Sequence, residues 1–341
     1  MSNPYAATAQ QNVGPYRLDR GLNRHVDHTP LLRELLDPSL LADYPSRPIA
    51  ELVDALAQYH DVLPEQIVVG AGCQELIQLI MANLETQQEV LLTTATYDFY
   101  EVAARTCGRM VKKVTTDPLV SPLFAMTGAL EPTTGAVIVD SPSNPMGVSV
   151  RLHEVEHFAR TSDTLLVVDE EYVEYGAKSC IGVAKTTDTV VVLRSFSKWA
   201  GLPGVRVGYA VAPRRIAGRL RAMQAEFPIS GMSAELAKRA ITHKTALLND
   251  MGTMHSDKQW LVDTLSAVPG LIVHSGSVPF VVFRHSGGDT EELHVRLREQ
   301  GIYTKLVSVN DVAWIRMTVA LHEDNKQIVQ HIRSAAHGLS R

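Results

Sequence analysis

Lys198 lies in "VVLRSFSKWAGLPGVRVGYAV", Val191 to Val211, between an apolar β-like run and a glycine-rich turn. A lysine at such a junction is either a solvated surface group or an amine held for nucleophilic chemistry, which requires it unprotonated. Asp169 ends the run "TLLVVD", where a strand meets its C-terminal loop. A carboxylate there meets a cation or strong donors, or else joins Glu170 and Glu171 in a solvated acidic turn. "VVGAGCQE", Val68 to Glu75, reads as a strand, a Gly-x-Gly turn and a helix start. Backbone N–H groups and a positive helix end converge at such a turn and suit a phosphate; a plain turn is the alternative. Glu75 stands where the dinucleotide fingerprint has its third glycine, which counts against a nicotinamide-dependent oxidoreductase.

Arg316 is an arginine inside the apolar strand "AWIRMTV". Its guanidinium needs an anion, and a structural ion pair or a substrate carboxylate would serve equally. "DSPSNPMG" by itself marks a loop. "HEVEH", His153 to His157, has the spacing of zinc-protease ligands on a helix. No third ligand follows at a matching place, so a solvated helix face is the reading and no metal is expected. His25, His28 and the remaining histidines are scattered and read as surface or hydrogen-bonded residues.

The elements that must position these residues alternate. "IAELVDALAQYH" has apolar residues at helical spacing, and "CQELIQLIMANLE" and "LHEVEHFART" read as further helices. "YDFYEVAARTCG" reads as a helix ended by a glycine. Between them "EQIVVGAG", "EVLLTTA", "AVIVD", "TLLVVDE" and "TVVVLRS" are continuous β-branched runs, as strands covered on both faces require. Alternating strands and helices predict an α/β fold with a mostly parallel sheet and ligands at the carboxyl ends of its strands. The pattern then changes to one long helical stretch, Ala234 to Leu265, followed by mixed short elements. The predicted organisation is an N-terminal arm with part of a small domain over 1–43, a large domain over 44–245 and a small α+β domain over 246–341.

With 341 residues, 45% hydrophobic and 20% charged, the chain can bury a large core divided between domains. A formal charge of −5 leaves no basic surplus for neutralising nucleic-acid phosphates. No apolar run is long enough to span a bilayer. The opening residues lack the basic and apolar regions of a signal peptide, and Cys73, Cys107 and Cys180 form no CxxC pair. A cytoplasmic protein without nucleic-acid or membrane partners is expected.

Taken in order, "YPSRP", "VVGAGCQELI", "TATYDFYEVAA", "DSPSNPMG", "VVDEEYVEY", "RSFSKWAGLPGVRVGY" and "WIRMTV" resemble the class I/II, fold-type I aminotransferases that use pyridoxal 5′-phosphate. Within these the resemblance is to the histidinol-phosphate aminotransferase subgroup, and it runs from Tyr44 to the C-terminus. The Ser-x-Ser-Lys segment followed by Gly-Leu-x-Gly-x-Arg-x-Gly-Tyr is its most specific part.

The resemblance implies a seven-stranded sheet and assigns roles. Lys198 forms the Schiff base and shuttles the proton, and Asp169 pairs with the pyridinium nitrogen. Asn144 and Tyr172 hydrogen-bond the cofactor's 3′-oxygen, while Tyr97 stacks on its ring. Gly72, Cys73, Gln74, Ser195, Ser197 and Arg206 cradle the phosphate. Tyr44 reaches the phosphate across a homodimer interface, and Arg316 binds the substrate's carboxylate or phosphate.

The chain departs from this pattern around the substrate. "LDRGLNRHVDH" replaces the usual arm motif, Pro279-Phe280 the usual Asn-Phe, and Lys305 an arginine that would bind substrate. In the cofactor loop Cys73-Gln74 replaces Ser-Asp or Ala-Asp; backbone donors survive, and a thiol at a helix start is expected to have a lowered pKa. The expected activity is transfer of an amino group between a glutamate-like amino acid and a keto or aldehyde acceptor. A decarboxylase, lyase or oxidase with the same cofactor is the alternative, and a non-catalytic cofactor binder a third.

Overall fold

The computed structural model describes residues 15–32, 37–249, 251–337 and 339, so the expected arm over 1–43 is described only in part. It begins with a two-residue strand, β1 (Tyr16–Arg17). The large sheet follows, formed by β2 (Ile67–Gly70), β3 (Glu89–Thr93), β4 (Met110–Val114), β5 (Thr134–Asp140), β6 (Leu165–Asp169), β7 (Val190–Ser195) and β8 (Gly208–Val211). Its spatial order is β2-β8-β7-β6-β5-β3-β4, and only β8 runs against its neighbours.

That topology gathers one set of strand ends. β3 to β7 are parallel, so their carboxyl ends share an edge. β8 reverses direction twice over, which returns the carboxyl end of β2 to the same edge. Gly70 and Ser195 accordingly both face Gly208 across β8. The edge thus collects the Gly70–Gly72 turn, Asp140, Asp169 and the Ser195–Lys198 segment.

β5, β6 and β7 are buried along their whole length, as their unbroken β-branched runs require. One face packs the helix Ser46–His60 against Gly231–Thr242, where Ala234, Ala237 and Ala240 form a small-residue stripe that admits Leu52 and Leu56. The other face carries the helices Cys73–Asn83, Phe99–Thr106 and Arg214–Met223. Phe99–Thr106 ends as its glycine predicts: Gly108 takes φ 70°, its N–H donates to Arg105 and that of Arg109 to Ala104.

Two strands escaped the sequence pattern. β4 is an edge strand whose Met110 is exposed and whose middle is Lys112-Lys113, so it lacks a continuous apolar run. β8 directly follows the glycine-rich turn and was hidden within it. The single long helix predicted over Ala234 to Leu265 is instead broken at His243: one helix covers Gly231–Thr242, and helical residues resume over Lys244–Asn249 and Met251–Ser266. His243 leaves helical geometry, with ψ near 13°, and closes the first by bonding its N–H to Arg239 and Ile241.

Along this stretch the buried side chains up to Leu247 join the large sheet's core, whereas those from Met251 join a second core that also takes in Leu18, Met146, Tyr172 and Tyr175. This second core covers β9 (Leu271–His274) and β10 (Phe280–His285), followed by β11 (Ile302–Tyr303), β12 (Lys305–Val309) and β13 (Val312–Thr318). β12-β13-β10-β9 form an antiparallel sheet, while β11 pairs in parallel with β1. The arm is thereby stitched to the C-terminal unit, and residues 19–22 pass over the collecting edge of the large sheet.

Candidate active site

A cavity of about 1110 Å³ opens where the carboxyl edge of the large sheet meets the β12–β13 hairpin and the arm. Lys198, Asp169, Tyr97, Tyr172, Cys73, Gln74, Asn144, Ser197, Arg206, Lys305 and Arg316 all line it. Gly72 and Ser195 lie directly behind this lining, and Tyr44 does not reach it. Tyr44 is 79% exposed and stacks on Phe227 at 5.0 Å.

At the floor, Asp169 and Asp140 are paired in register on β6 and β5, both buried. Asp169 accepts from the Tyr100 hydroxyl at 2.9 Å and from the Glu171 N–H at 3.1 Å, and it has no cation partner among the described residues. Burial first, then the Glu171 charge, raises its pKa far above the carboxylate range. Asp140 accepts from Thr96 at 3.1 Å and from the Asn144 N–H at 2.6 Å, and burial pushes its pKa up to about 6. The solvated acidic turn is excluded: Glu170 is 1% exposed and bonds Arg194, Ser179 and the Cys180 N–H.

Lys198 Nζ donates to the Arg20 carbonyl at 3.4 Å and lies 3.8 Å from Glu171 Oε2. Burial opposes its positive charge, but the Tyr172 and Glu171 oxygens outweigh it and hold the pKa above the ordinary lysine value. The amine is therefore an ammonium at neutral pH, and its nucleophilic use requires that proton to leave.

At one end, Gly72 caps the helix Cys73–Asn83 with φ 82°. A Cβ there would lie 2.5 Å from Arg206 Nη2, so glycine is what lets the guanidinium close over the helix start. Arg206 donates to the Ala71 and Pro203 carbonyls, each at 3.3 Å, and forms no ion pair among the described residues. Glu75, at the missing third glycine, caps the turn through the Ala71 N–H. Cys73 corrects the expectation of a lowered thiol pKa. Burial, with Asp169 and Glu171 nearby, raises it well above the usual value, and its Sγ donates to the Arg194 carbonyl.

At the other end, Arg316 is 8% exposed with its guanidinium 5.1 Å from the Phe280 ring centre. It donates to Asn144 Oδ1 and to the Asp19 carbonyl, each at 2.6 Å, while its buried Nε–H has no partner. The structural ion pair considered for it is absent among the described residues. Tyr97 accepts from Gln74 at 2.9 Å, and Lys305 faces Asp98 at 3.5 Å near the mouth.

His153 and His157 are exposed on their helix, and no metal-holding group of three ligands occurs among the described residues. His28 bonds the Ala200 carbonyl at 3.0 Å, and His25 bonds Asp257 at 3.0 Å. Sequence reasoning missed Asp140, Tyr100, Thr96 and the arm carbonyls of Asp19 and Arg20. Asp140 had the same signal as Asp169, a carboxylate closing a buried run. The arm carbonyls had none, because any residue supplies a carbonyl.

The chain matches the aminotransferase class I and II family over residues 12–332. It belongs to that family. It is a pyridoxal 5′-phosphate-dependent aminotransferase, and the decarboxylase, lyase or oxidase alternative is not favoured. A histidinol-phosphate aminotransferase of Psychrobacter arcticus is 29% identical over 86% of this chain and 80% of its own. The structure of the Sinorhizobium meliloti histidinol-phosphate aminotransferase in complex with pyridoxal 5′-phosphate has a TM-score of 0.90 at 20% identity, covering 99% of this chain and 95% of its own. That of the L-threonine-O-3-phosphate decarboxylase from Porphyromonas gingivalis has a TM-score of 0.83 at 20% identity, covering 96% and 100%. These last two likenesses are of fold.

The aminotransferase's own residues fit its cofactor. A helix start beneath a guanidinium that has no ion pair among the described residues suits a phosphate. A buried carboxylate without a cation suits a protonated ring nitrogen, which would give Asp169 the counter-charge it lacks. Among the described residues no helix is long and apolar enough to cross a membrane.

Proposed function

We propose that the aminotransferase takes an amino group from a glutamate-like amino acid and delivers it to a keto or aldehyde acceptor bearing an anionic group. Arg316 carries this reading: a buried guanidinium with, among the described residues, a free Nε–H and no carboxylate partner, opening onto the same cavity as Lys198. Its planar fork suits a substrate carboxylate or phosphate, with Asn144 beside it and Lys305 nearer the mouth.

When bound, the cofactor supplies an electrophilic aldehyde carbon and a ring that accepts electrons from the substrate's Cα. Lys198 Nζ would carry the proton removed from Cα. Asp169 would keep the ring nitrogen protonated. Asn144 and Tyr172 would hydrogen-bond the 3′-oxygen, and Tyr97 would pack against the ring. The helix start at Gly72, through the Cys73 and Gln74 N–H groups, would hold the phosphate together with Ser195, Ser197 and Arg206. Residues 44–245 would bind the cofactor, and 246–341 with the arm would close over the substrate. The arm's hydrogen bonds to Lys198 and Arg316 support that division. The working state would be a cytoplasmic homodimer in which Tyr44 of one protomer reaches the phosphate held by its partner. Its exposure supports that role, as does the neighbouring Leu41, 80% exposed.

The test is a visible spectrum of the purified protein with pyridoxal 5′-phosphate, followed by glutamate, repeated on Lys198→Ala. Glutamate should convert the bound cofactor stoichiometrically to its amine form, and Lys198→Ala should lower that rate by about 10³-fold or more. A protein that takes up no cofactor contradicts the site, and release of CO₂ or uptake of oxygen contradicts transamination. Screening acceptors, with the histidinol phosphate pair included because relatives bear that name, then fixes the substrate.

A further inference from the structure

Glu171 is a carboxylate that transamination does not require, yet it occupies the middle of the site. Its side chain is 23% exposed into the cavity. Oε1 accepts the Ser195 hydroxyl at 2.9 Å, and Oε2 lies 3.8 Å from Lys198 Nζ. Lys198 is its only ion-pair partner among the described residues. Ser195 in turn is 2% exposed and accepts the Ser197 N–H at 3.2 Å, so its orientation is tightly set.

A serine hydroxyl has one proton to donate. Given to Glu171, it is withheld from a phosphate; given to a phosphate, it leaves Glu171 facing a like charge. Lys198 poses the same choice, because its covalent use removes the cation that Glu171 faces. We propose that Glu171 is a built-in competitor of the cofactor's phosphate, holding Ser195 and Lys198 until the cofactor displaces it. The inference rests on the cofactor-site reading above. It adds that cofactor retention in this chain is weakened by its own carboxylate, which makes exchange of the cofactor an intrinsic property of the site. Room to move is available, since Glu171 borders open cavity and not packed core.

The experiment measures the dissociation constant of pyridoxal 5′-phosphate for the full chain stripped of cofactor, by quenching of tryptophan fluorescence. Inorganic phosphate is the second probe, because it engages the cradle without a covalent link. Glu171→Gln keeps the shape and removes the charge; Glu171→Ala guards against a fold defect specific to glutamine. Both variants should bind each probe about tenfold more tightly than the parent, as expected for removing a like charge at short range. Unchanged or weaker binding in both variants overturns the proposal. If neither parent nor variants bind the cofactor, the cofactor-site reading itself fails and the proposal falls with it. A parent that binds as tightly as its variants leaves that reading standing and removes Glu171 from it.

Discussion

Asp140 and Asp169 are neighbouring buried carboxylates, and their protonation is coupled to the stability of the fold. Both pKa values are raised by burial, Asp140 to about 6 from 3.8. A raised carboxylate pKa means that the folded chain binds protons the unfolded chain has released. The contribution is complete below the unfolded value and is lost as pH rises through the folded one. For Asp140 this is on the order of 3 kcal/mol, lost between 3.8 and about 6. Thermal unfolding of the cofactor-stripped protein across this window should therefore show stability falling with pH, and Asp140→Asn should flatten the fall. Parallel curves for the two proteins would refute the assignment. Adding cofactor should oppose the loss from Asp169, whose ionised form then gains a cation partner.

Among the elements, the contact between β8 and the Gly70–Gly72 turn matters most. A Cβ on Gly208 would lie 2.6 Å from the Cys73 nitrogen and 2.7 Å from the Gly72 carbonyl carbon. These are backbone atoms at a helix start and cannot move aside cheaply. Gly208→Ala should therefore cost about 3 kcal/mol in denaturant unfolding and weaken cofactor uptake as well. Gly218, on the exposed side of the helix Arg214–Met223, has nothing within 4 Å of its built Cβ. Gly218→Ala should stabilise by a few tenths to about 1 kcal/mol through helix propensity alone, leaving uptake unchanged. Equal effects from the two substitutions would show that the close approach is not what selects glycine at 208. The helical stretch from Ala234 illustrates the converse limit. Its apolar spacing is continuous, but the chain turns at His243 and its buried side chains pass from one core to the other between Leu247 and Met251.

At the scale of the whole molecule, the arm and the C-terminal unit complete a site that the large sheet only begins. Arg20 and Asp19 offer carbonyls to Lys198 and Arg316, and β1 pairing with β11 carries the arm to that point. Beside this, Leu32, Leu41 and Tyr44 are 60%, 80% and 79% exposed. Apolar exposure of this kind fits burial against a second copy. Light scattering should give twice the mass of 37.4 kDa, and Tyr44→Ala should weaken cofactor binding in that dimer. A monomer with full cofactor affinity would remove Tyr44 from the site.

Much of the cavity's lining was readable in the sequence. Strand ends and glycine turns carry their meaning locally, because backbone geometry and burial demand particular residue types there, whereas the lysine after Ser-x-Ser took its role from the family resemblance. Buried β-branched runs also announced the covered sheet. The spacing of its strands left their order open, along with the edge strand β4 and the reversal at β8. Order and edge position come from which faces meet, and amphipathic patterns are alike for many arrangements. The carboxylate of Glu171 marks the boundary most clearly. In the sequence it is one of three consecutive acids, Asp169 to Glu171. Only the tertiary structure sends the first to the cavity floor, the second to Arg194 in the interior, and the third between Ser195 and Lys198. A strand's end points successive side chains in different directions, and what each one meets is decided by elements distant in the chain.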